Sequence, residues 1–258
     1  MPDVAIRQLD GEVRVELGRH AAPALPVLPA LGSILPHGLR RGSSVGVSGS
    51  ISLLLALLGA ASAHGAWCAL VGLPHISAEA ATEYGIDLTR LALVPRLAPA
   101  PGRESTASWA SAVGALLDAV DVVAARLPQR IVDGDARRLN ARIRSRDAVF
   151  IPFTSAAPDA QGRPAWPGTE TRLHAQAGPW SGIGEGCGRL RQRQVVVRAA
   201  GRGRAGRDQP VALWLPAGDG GIETVGPRPS SPARARPGGL SEKDLRHRLD
   251  ELVTARAG

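Results

Sequence analysis

A glycine and two serines at a strand-to-helix junction are the residues of this chain best suited to phosphate chemistry. The segment SVGVSGSISLLLALLGAAS, residues 44–62, has the pattern of a short strand, a tight turn and an apolar helix. Gly49, Ser50 and Ser52 lie at the turn. In a phosphate-binding loop, backbone N–H groups surround the phosphates, a lysine neutralises them and a hydroxyl holds the metal ion. The segment therefore raises the question of whether a nucleotide binds here.

Two parts of a working phosphate loop are missing from this junction. Ser50 follows Gly49 directly and is expected to cap the helix, which leaves no glycine-rich loop to wrap around a phosphate. The only lysine of the chain is Lys243, close to the C-terminus, and no arginine lies between Arg41 and Arg90 to replace it. We interpret Gly49, Ser50 and Ser52 as a degenerate phosphate corner and expect no cofactor.

The carboxylate that would hold a nucleotide's metal ion is also missing. The matching apolar strand, DVVAARLP at residues 121–128, ends without an acidic residue, and Asp121 lies at its beginning, which is the wrong edge of the sheet. These absences predict that the protein is not an enzyme. The alternative from another class is a divergent nucleotide-dependent enzyme that uses serine hydroxyls and arginine.

A basic stretch near the end of the predicted core could contact DNA or a partner. The sequence GRLRQRQVVVRAAGRGRAGR, residues 188–207, contains no acidic residue, and Arg189, Arg191 and Arg193 alternate as on one face of a strand. No aromatic residue within it could stack on bases, so a solvated hairpin or a partner surface is the alternative. The preceding glycine-rich segment, residues 178–188, is assigned no chemistry.

Histidine and cysteine give no metal or disulfide pattern. The six histidines include no pair four residues apart, and Cys68 and Cys187 do not form a CxxC motif. We therefore predict no metal site. The N-terminus lacks the basic and apolar regions of a signal peptide, and no apolar run is long enough to cross a bilayer. The expected location is the cytoplasm.

Strands alternate with helices between residues 43 and 153, which predicts βαβ crossovers and a mostly parallel sheet flanked by helices. Beyond residue 153, alternating segments at 169–177 and 189–201 predict an antiparallel extension at the C-terminal side. The predicted class is α/β. The predicted organisation is an N-terminal arm (1–35), a core (36–222), a Pro/Arg-rich linker (223–240) and a tethered amphipathic helix (241–258).

The predicted C-terminal helix is a candidate for partner binding. Leu245, Leu249 and Leu252 share one face of it, behind a Ser-x-x-Asp capping pattern. A short amphipathic helix on a flexible tether can dock into a groove of another protein. The alternative is a frayed terminus.

The sequence resembles a known family in several separate segments. The order of elements is similar to the RecA core, with the phosphate loop deleted. More closely, GSISLLLALLGAASAHGAWCALVGLP, YGIDLTRLALVP, DARRLNARIRSRDAV and PWSGIGEGCGRLRQRQVVV resemble the actinobacterial RecA-like family known as ImuA-prime, sometimes labelled SulA-like. The resemblance covers about residues 30–216.

The resemblance implies a RecA-like protein without catalysis that acts in the SOS response to DNA damage. The implied partners in this translesion-synthesis assembly, or mutasome, are an ImuB-type inactive Y-family polymerase homologue and an error-prone C-family DNA polymerase, with RecA as a further candidate. DNA contact is a possibility that the sequence leaves open, and no membrane is expected. The alternative is a regulator that mimics a subunit and acts on RecA filaments or on cell division.

Overall fold

The structure is a computed structural model and describes residues 4–9, 12–17, 23–97, 105–155, 166–184, 187–201 and 210–226. The chain divides into two units, residues 1–225 and 226–258, and only Gly226 of the second is described. The predicted amphipathic helix, with Leu245, Leu249 and Leu252, therefore lies outside the described residues.

Eleven strands and four α-helices make up the described part of the chain. The strands are β1 (Val4–Leu9), β2 (Glu12–Leu17), β3 (Val45–Ser48), β4 (Cys68–Val71), β5 (Leu91–Val94), β6 (Val122–Arg126), β7 (Val149–Thr154), β8 (Thr171–Gly184), β9 (Cys187–Gly201), β10 (Val211–Trp214) and β11 (Glu223–Thr224). The helices are α1 (Ile51–Ala63), α2 (Ala78–Glu83), α3 (Ser105–Ala119) and α4 (Asp133–Ser145).

Nine of the strands form one sheet in the order β11-β10-β9-β8-β3-β7-β6-β4-β5. Every neighbouring pair from β8 to β5 is parallel, whereas β9 runs antiparallel to both β8 and β10. β1 and β2 form a separate antiparallel pair. The predicted α/β class, with a mostly parallel sheet and an antiparallel extension at its C-terminal side, is confirmed.

Helix α1 is the centre of the core on one face of the sheet. All its residues from Leu53 to Ser62 are buried, as expected for a helix that is apolar on every side. The segment before the sheet covers part of it, because Leu25, Leu31 and Leu39 belong to the same cluster of buried side chains. The second half of the predicted N-terminal arm is thus part of this core.

The opposite face of the sheet carries α3 and α4 around an aromatic cluster. One side of α3 is buried at Trp109, Val113 and Leu117. Trp109 and Phe150 lie 6.5 Å apart between ring centroids, and Phe150 and Trp166 lie 4.9 Å apart. The two faces are filled differently, with aliphatic side chains around α1 and with three large rings beneath α3 and α4.

Candidate functional site

The degenerate phosphate corner lies at the carboxyl end of β3, between β7 and β8. Gly49 has a φ of +86°, and its N–H donates to the Thr154 carbonyl over 3.1 Å. A Cβ atom at position 49 would lie 2.3 Å from the Ala175 carbonyl oxygen, so the backbone of β8 is packed directly against the turn. Helix α1 begins at Ile51. The strand therefore passes into the helix through two residues, with no loop to surround a phosphate.

Both serines of the corner have partners within the chain. Ser50 is the N-cap of α1, and its hydroxyl oxygen accepts a hydrogen bond from the Leu53 N–H over 3.2 Å. Ser52 is hydrogen-bonded to the side chain of the buried Tyr84. Burial raises the pKa of the Tyr84 phenol, and the hydrogen bond with Ser52 opposes that rise. These contacts use the two hydroxyls in capping and packing.

A histidine that sequence reasoning missed lies beside the corner. His174 Nδ1 is 3.0 Å from the Ser48 hydroxyl oxygen, which also lies 3.4 Å from the Leu173 carbonyl oxygen. A serine nucleophile with a histidine base needs a third group to orient the imidazole. Among the hydrogen bonds and ion pairs of the described residues, none joins His174 to a carboxylate. The pair links β3 to its neighbour β8, because Ser48 and His174 lie opposite each other in the parallel register of the two strands.

The carboxyl end of β6 carries an arginine in place of the acidic residue that a nucleotide site would need. Arg126 is the last residue of β6, and its guanidinium donates to the Ser155 hydroxyl over 3.0 Å. Asp121 precedes the strand at the opposite edge, where it accepts from Arg41 over 2.8 Å and from the Trp67 N–H over 2.9 Å. The position of Asp121 makes it an anchor of the amino edge of the sheet, far from the corner.

The three predicted arginines lie on β9 in two different environments. Arg189 and Arg191 are exposed, and no ion pair of the described residues includes either of them. Arg193 is partly buried, with its guanidinium carbon 5.5 Å from the centroid of the Trp180 ring and its Nε donating to the Gly178 carbonyl over 2.9 Å. The structure thus supplies from β8 an aromatic ring that the basic stretch itself lacks.

No group of three His, Cys, Asp or Glu residues comes together as a possible metal site within the described ranges. Cys68 is fully buried in β4, and burial raises the pKa of its thiol to about 12. Such a thiol is packed as an apolar side chain and stays protonated at neutral pH. No helix in the described part of the chain has the length and apolar character needed to span a bilayer.

Two comparisons with known proteins find similar sequences. The family model described as the MT3502 N-terminal domain matches residues 33–159, which is just under half of the chain. The chain is also 32% identical over 149 residues to the uncharacterized protein Rv3395c of Mycobacterium tuberculosis. That similarity spans 56% of this chain and 65% of the mycobacterial protein. The matched family region contains β3 to β7 and the corner, and it ends before the β8–β9 hairpin begins.

Proposed function

We propose that this chain is a non-catalytic RecA-like accessory protein of DNA-damage-induced mutagenesis, which holds together a translesion-synthesis assembly. Its proposed partners are an ImuB-type inactive Y-family polymerase homologue and an error-prone C-family polymerase, in the cytoplasm. The proposal joins two lines of support: the resemblance of the sequence to the ImuA-prime family, and a corner built without the parts that nucleotide chemistry requires.

The close packing of β8 against the turn at Gly49 is the observation that carries the non-catalytic part of the proposal. A phosphate needs several unpaired backbone N–H groups and a neighbouring cation. Here the Ala175 carbonyl oxygen is packed against Gly49 and occupies the space that a longer loop would need. The hydroxyls of Ser50 and Ser52 are both engaged inside the chain. A nucleotide would have to displace these contacts, which makes binding unfavourable.

The sheet supports the scaffold part of the proposal. β3 lies between β7 and β8 within the nine-stranded sheet, which is compatible with the RecA-like core that the sequence resembles. The similarity to a mycobacterial protein is compatible with an actinobacterial family. A rigid sheet that no longer binds nucleotide still offers fixed surfaces for binding other proteins.

Nucleotide binding is tested by thermal unfolding of the full chain with and without ATP or ADP and Mg²⁺. A ligand at about 100 times its dissociation constant stabilises the folded state by about 2.7 kcal/mol, which would raise the Tm by about 5–10 °C. We expect no shift, because the corner has no place for the phosphates. A shift of that size that disappears in the Ser52→Ala variant would show nucleotide binding at the corner and favour the divergent nucleotide-dependent enzyme instead.

The scaffold role is tested by co-expressing the full chain with the ImuB-type protein of the same genome and purifying one through a tag on the other. A stable complex is the expected result.

Deleting the gene is expected to lower the mutation frequency after ultraviolet damage, and both the wild type and Ser52→Ala should restore it. Failure to bind the ImuB-type protein, together with binding to RecA filaments, would favour subunit mimicry over the proposed role.

A further inference from the structure

One half of the sheet is buried on one face only. The side of β3, β8, β9 and β10 that faces α1 carries buried residues at alternating positions: Val45, Val47, Leu173, Ala175, Val195, Val197, Ala199 and Leu213. The residues between them point to the other side of the sheet, and none of these is buried. On that other side, α3 and α4 pack against β4, β6 and β7. Within the described residues, β3, β8, β9 and β10 therefore have one face without a covering layer.

The side chains of this uncovered face lie next to one another across the strands. Ser48 is paired in register with His174, and His174 is paired with Arg198. One row further along, Gln194 is followed by Trp214 of the next strand. Paired residues on one face of a sheet have Cβ atoms about 5 Å apart, so these side chains form a continuous surface. We call this surface the open face, and its larger side chains are Ser48, Arg172, His174, Gln176, Gln194, Val196, Arg198 and Trp214.

The open face carries positive charge. Arg172 and Arg198 take part in none of the ion pairs formed among the described residues. They are diagonal neighbours on β8 and β9, and such positions are about 7–8 Å apart. Glu170 directly precedes β8 but pairs with Arg40, and Glu223 lies three strands from Arg172, on the outermost strand β11. The centre of the face therefore attracts an anionic ligand.

Hydrogen-bonding side chains surround the two arginines. Because His174 Nδ1 lies 3.0 Å from the Ser48 hydroxyl oxygen, the imidazole is held through one nitrogen, and Nε2 has no hydrogen-bond partner among the described residues. Gln176 is exposed and Gln194 is partly exposed, and neither amide is hydrogen-bonded within the described part of the chain. An imidazole and two amides offer both donors and acceptors to a ligand.

An aromatic ring lies on the same face as these polar groups. Trp214 is partly exposed on β10, and its row is about 13 Å along β9 from Arg198, at about 3.3 Å per residue. The basic stretch at residues 188–207 contains no aromatic residue, but the sheet places Trp214 on the face that Arg198 shares. Bases of any sequence stack on such rings.

We propose that the open face binds a short stretch of single-stranded nucleic acid. Arg172 and Arg198 pair with its phosphates, and Trp214 stacks on one of its bases. His174 and Gln176 donate hydrogen bonds to the strand between these contacts. This inference goes beyond the proposed function, because it requires neither a partner protein nor the absence of catalysis.

Three other occupants fit the open face less well. An acidic protein segment needs apolar side chains at the centre of its interface, but Arg198 and His174 lie on the two central strands, and Val196 is the only large aliphatic residue. A second copy would bring the arginines of both faces together without acids to neutralise them. Duplex DNA keeps its bases inside the double helix, where Trp214 does not reach them. A single strand satisfies the charge, the amides and the ring together.

The test is fluorescence anisotropy of labelled 20-nucleotide oligothymidine and oligouridine with the full-length protein, between about 50 and 200 mM KCl. We expect binding of a single strand, and either sugar supports the proposal. In Arg172→Ala/Arg198→Ala, affinity at the lowest salt should fall about tenfold or more. The slope of log affinity against log salt should become shallower by about 1.4, because each phosphate contact of a single strand contributes about 0.7.

Replacing the tryptophan tests the stacking contact separately from the charge. Trp214→Leu should lower the affinity about fivefold or more, because one base loses the ring on which it stacks. The slope of log affinity against log salt should not change, because no phosphate contact is removed. Circular dichroism and urea midpoints establish that every variant is folded.

Matched control variants lie on the same two strands and on the other side of the sheet. Arg189 and Arg191 are exposed, and their positions on β9 alternate with those of the open face, so Arg189→Ala/Arg191→Ala removes the same charge. Trp180→Leu changes a tryptophan of β8 that is 43% exposed and lies against Arg193. Both controls should bind the oligonucleotides within about twofold of the wild type, with an unchanged salt slope.

Ultraviolet crosslinking of oligothymidine to the wild-type protein locates the strand without any substitution. Peptide mass spectrometry should find the adducts in peptides that contain His174 or Trp214. Adducts confined to peptides from other elements would contradict the placement of the strand on the open face.

Three binding results would also overturn the proposal. One is the absence of binding of both oligonucleotides to the wild type at the lowest salt. Another is a loss of affinity in the control variants as large as in the open-face variants, which would assign the binding to overall charge or to Arg189 and Arg191. The third is equal affinity and salt slope for a 20-base-pair duplex, which would exclude stacking on Trp214. None of these measurements involves the ImuB-type protein, so their failure leaves the proposed function standing.

Discussion

Replacing Gly49 by alanine tests whether the corner is closed by the backbone of β8. The new Cβ atom would lie 2.3 Å from the Ala175 carbonyl oxygen, and the residue would keep a φ of +86°. The positive φ costs an L-residue about 1–2 kcal/mol. Relief of the overlap, through a shift of β8 or of the start of α1, adds about 1–3 kcal/mol. We expect Gly49→Ala to lower the free energy of unfolding by about 2–5 kcal/mol.

Gly65→Ala separates the two contributions. Gly65 has a φ of +93°, but a Cβ atom there would meet nothing within 4 Å, so only the conformational cost remains. Urea denaturation of the wild type and both variants should place Gly65→Ala about 1–2 kcal/mol below the wild type and Gly49→Ala about 1–3 kcal/mol lower still. Equal losses in the two variants would refute the close packing of β8 on the corner. A gain in nucleotide binding by either variant would refute the interpretation of the corner as a packing element.

Three further predictions concern single residues. Ser50→Ala should cost about 1 kcal/mol in urea denaturation, because the Leu53 N–H loses its cap, and Ser50→Gly should cost less. Trp166→Ala should lower the free energy of unfolding by about 3–5 kcal/mol in the same assay, because it removes one of the three packed rings and the hydrogen bond to Asn140. An unchanged midpoint would contradict the packing. The unfolded thiol of Cys68 ionises near its usual pKa of 9.0 and the folded one near about 12, so stability should fall between these pH values and fall less in Cys68→Ala.

The sequence could predict the parts of the fold that are set by local patterns. The alternation of apolar strands with helices predicted β3 to β7 in order. The four-residue spacing of Trp109, Val113 and Leu117 is the pattern of one helix face, and this is the face of α3 that is buried. Prolines between residues 23 and 36 break any such period, so the sequence predicts an arm packed on the core but not which of its side chains, such as Leu25 and Leu31, are buried in the same cluster as α1. The predicted strand at 169–177 also ended too early, because bulges at glycines let β8 continue to Gly184.

The sequence predicted which parts of a nucleotide site are missing from the corner. It did not predict the contacts that the residues of the corner make. Missing lysine, loop and carboxylate can all be read from residue types and spacing. The packing of Ala175 on Gly49 and the hydrogen bond between Ser52 and Tyr84 join residues that are far apart in the chain. The same holds for Trp180, which only the pairing of β8 with β9 brings opposite Arg193. Contacts between strands depend on register, which the sequence of one strand does not determine.

The position of β3 in the sheet has a consequence for the synthesis of the protein. Val47 pairs with Phe153 on one side and with Leu173 on the other, so neither neighbour of β3 exists until about a hundred more residues have left the ribosome. At about 5–20 residues per second, this takes about 5–20 seconds. Throughout that time α1, which is apolar on every side, is covered by an incomplete sheet that lacks both neighbours of β3. The nascent chain should therefore depend on chaperones until β8 emerges, whatever the stability of the finished fold.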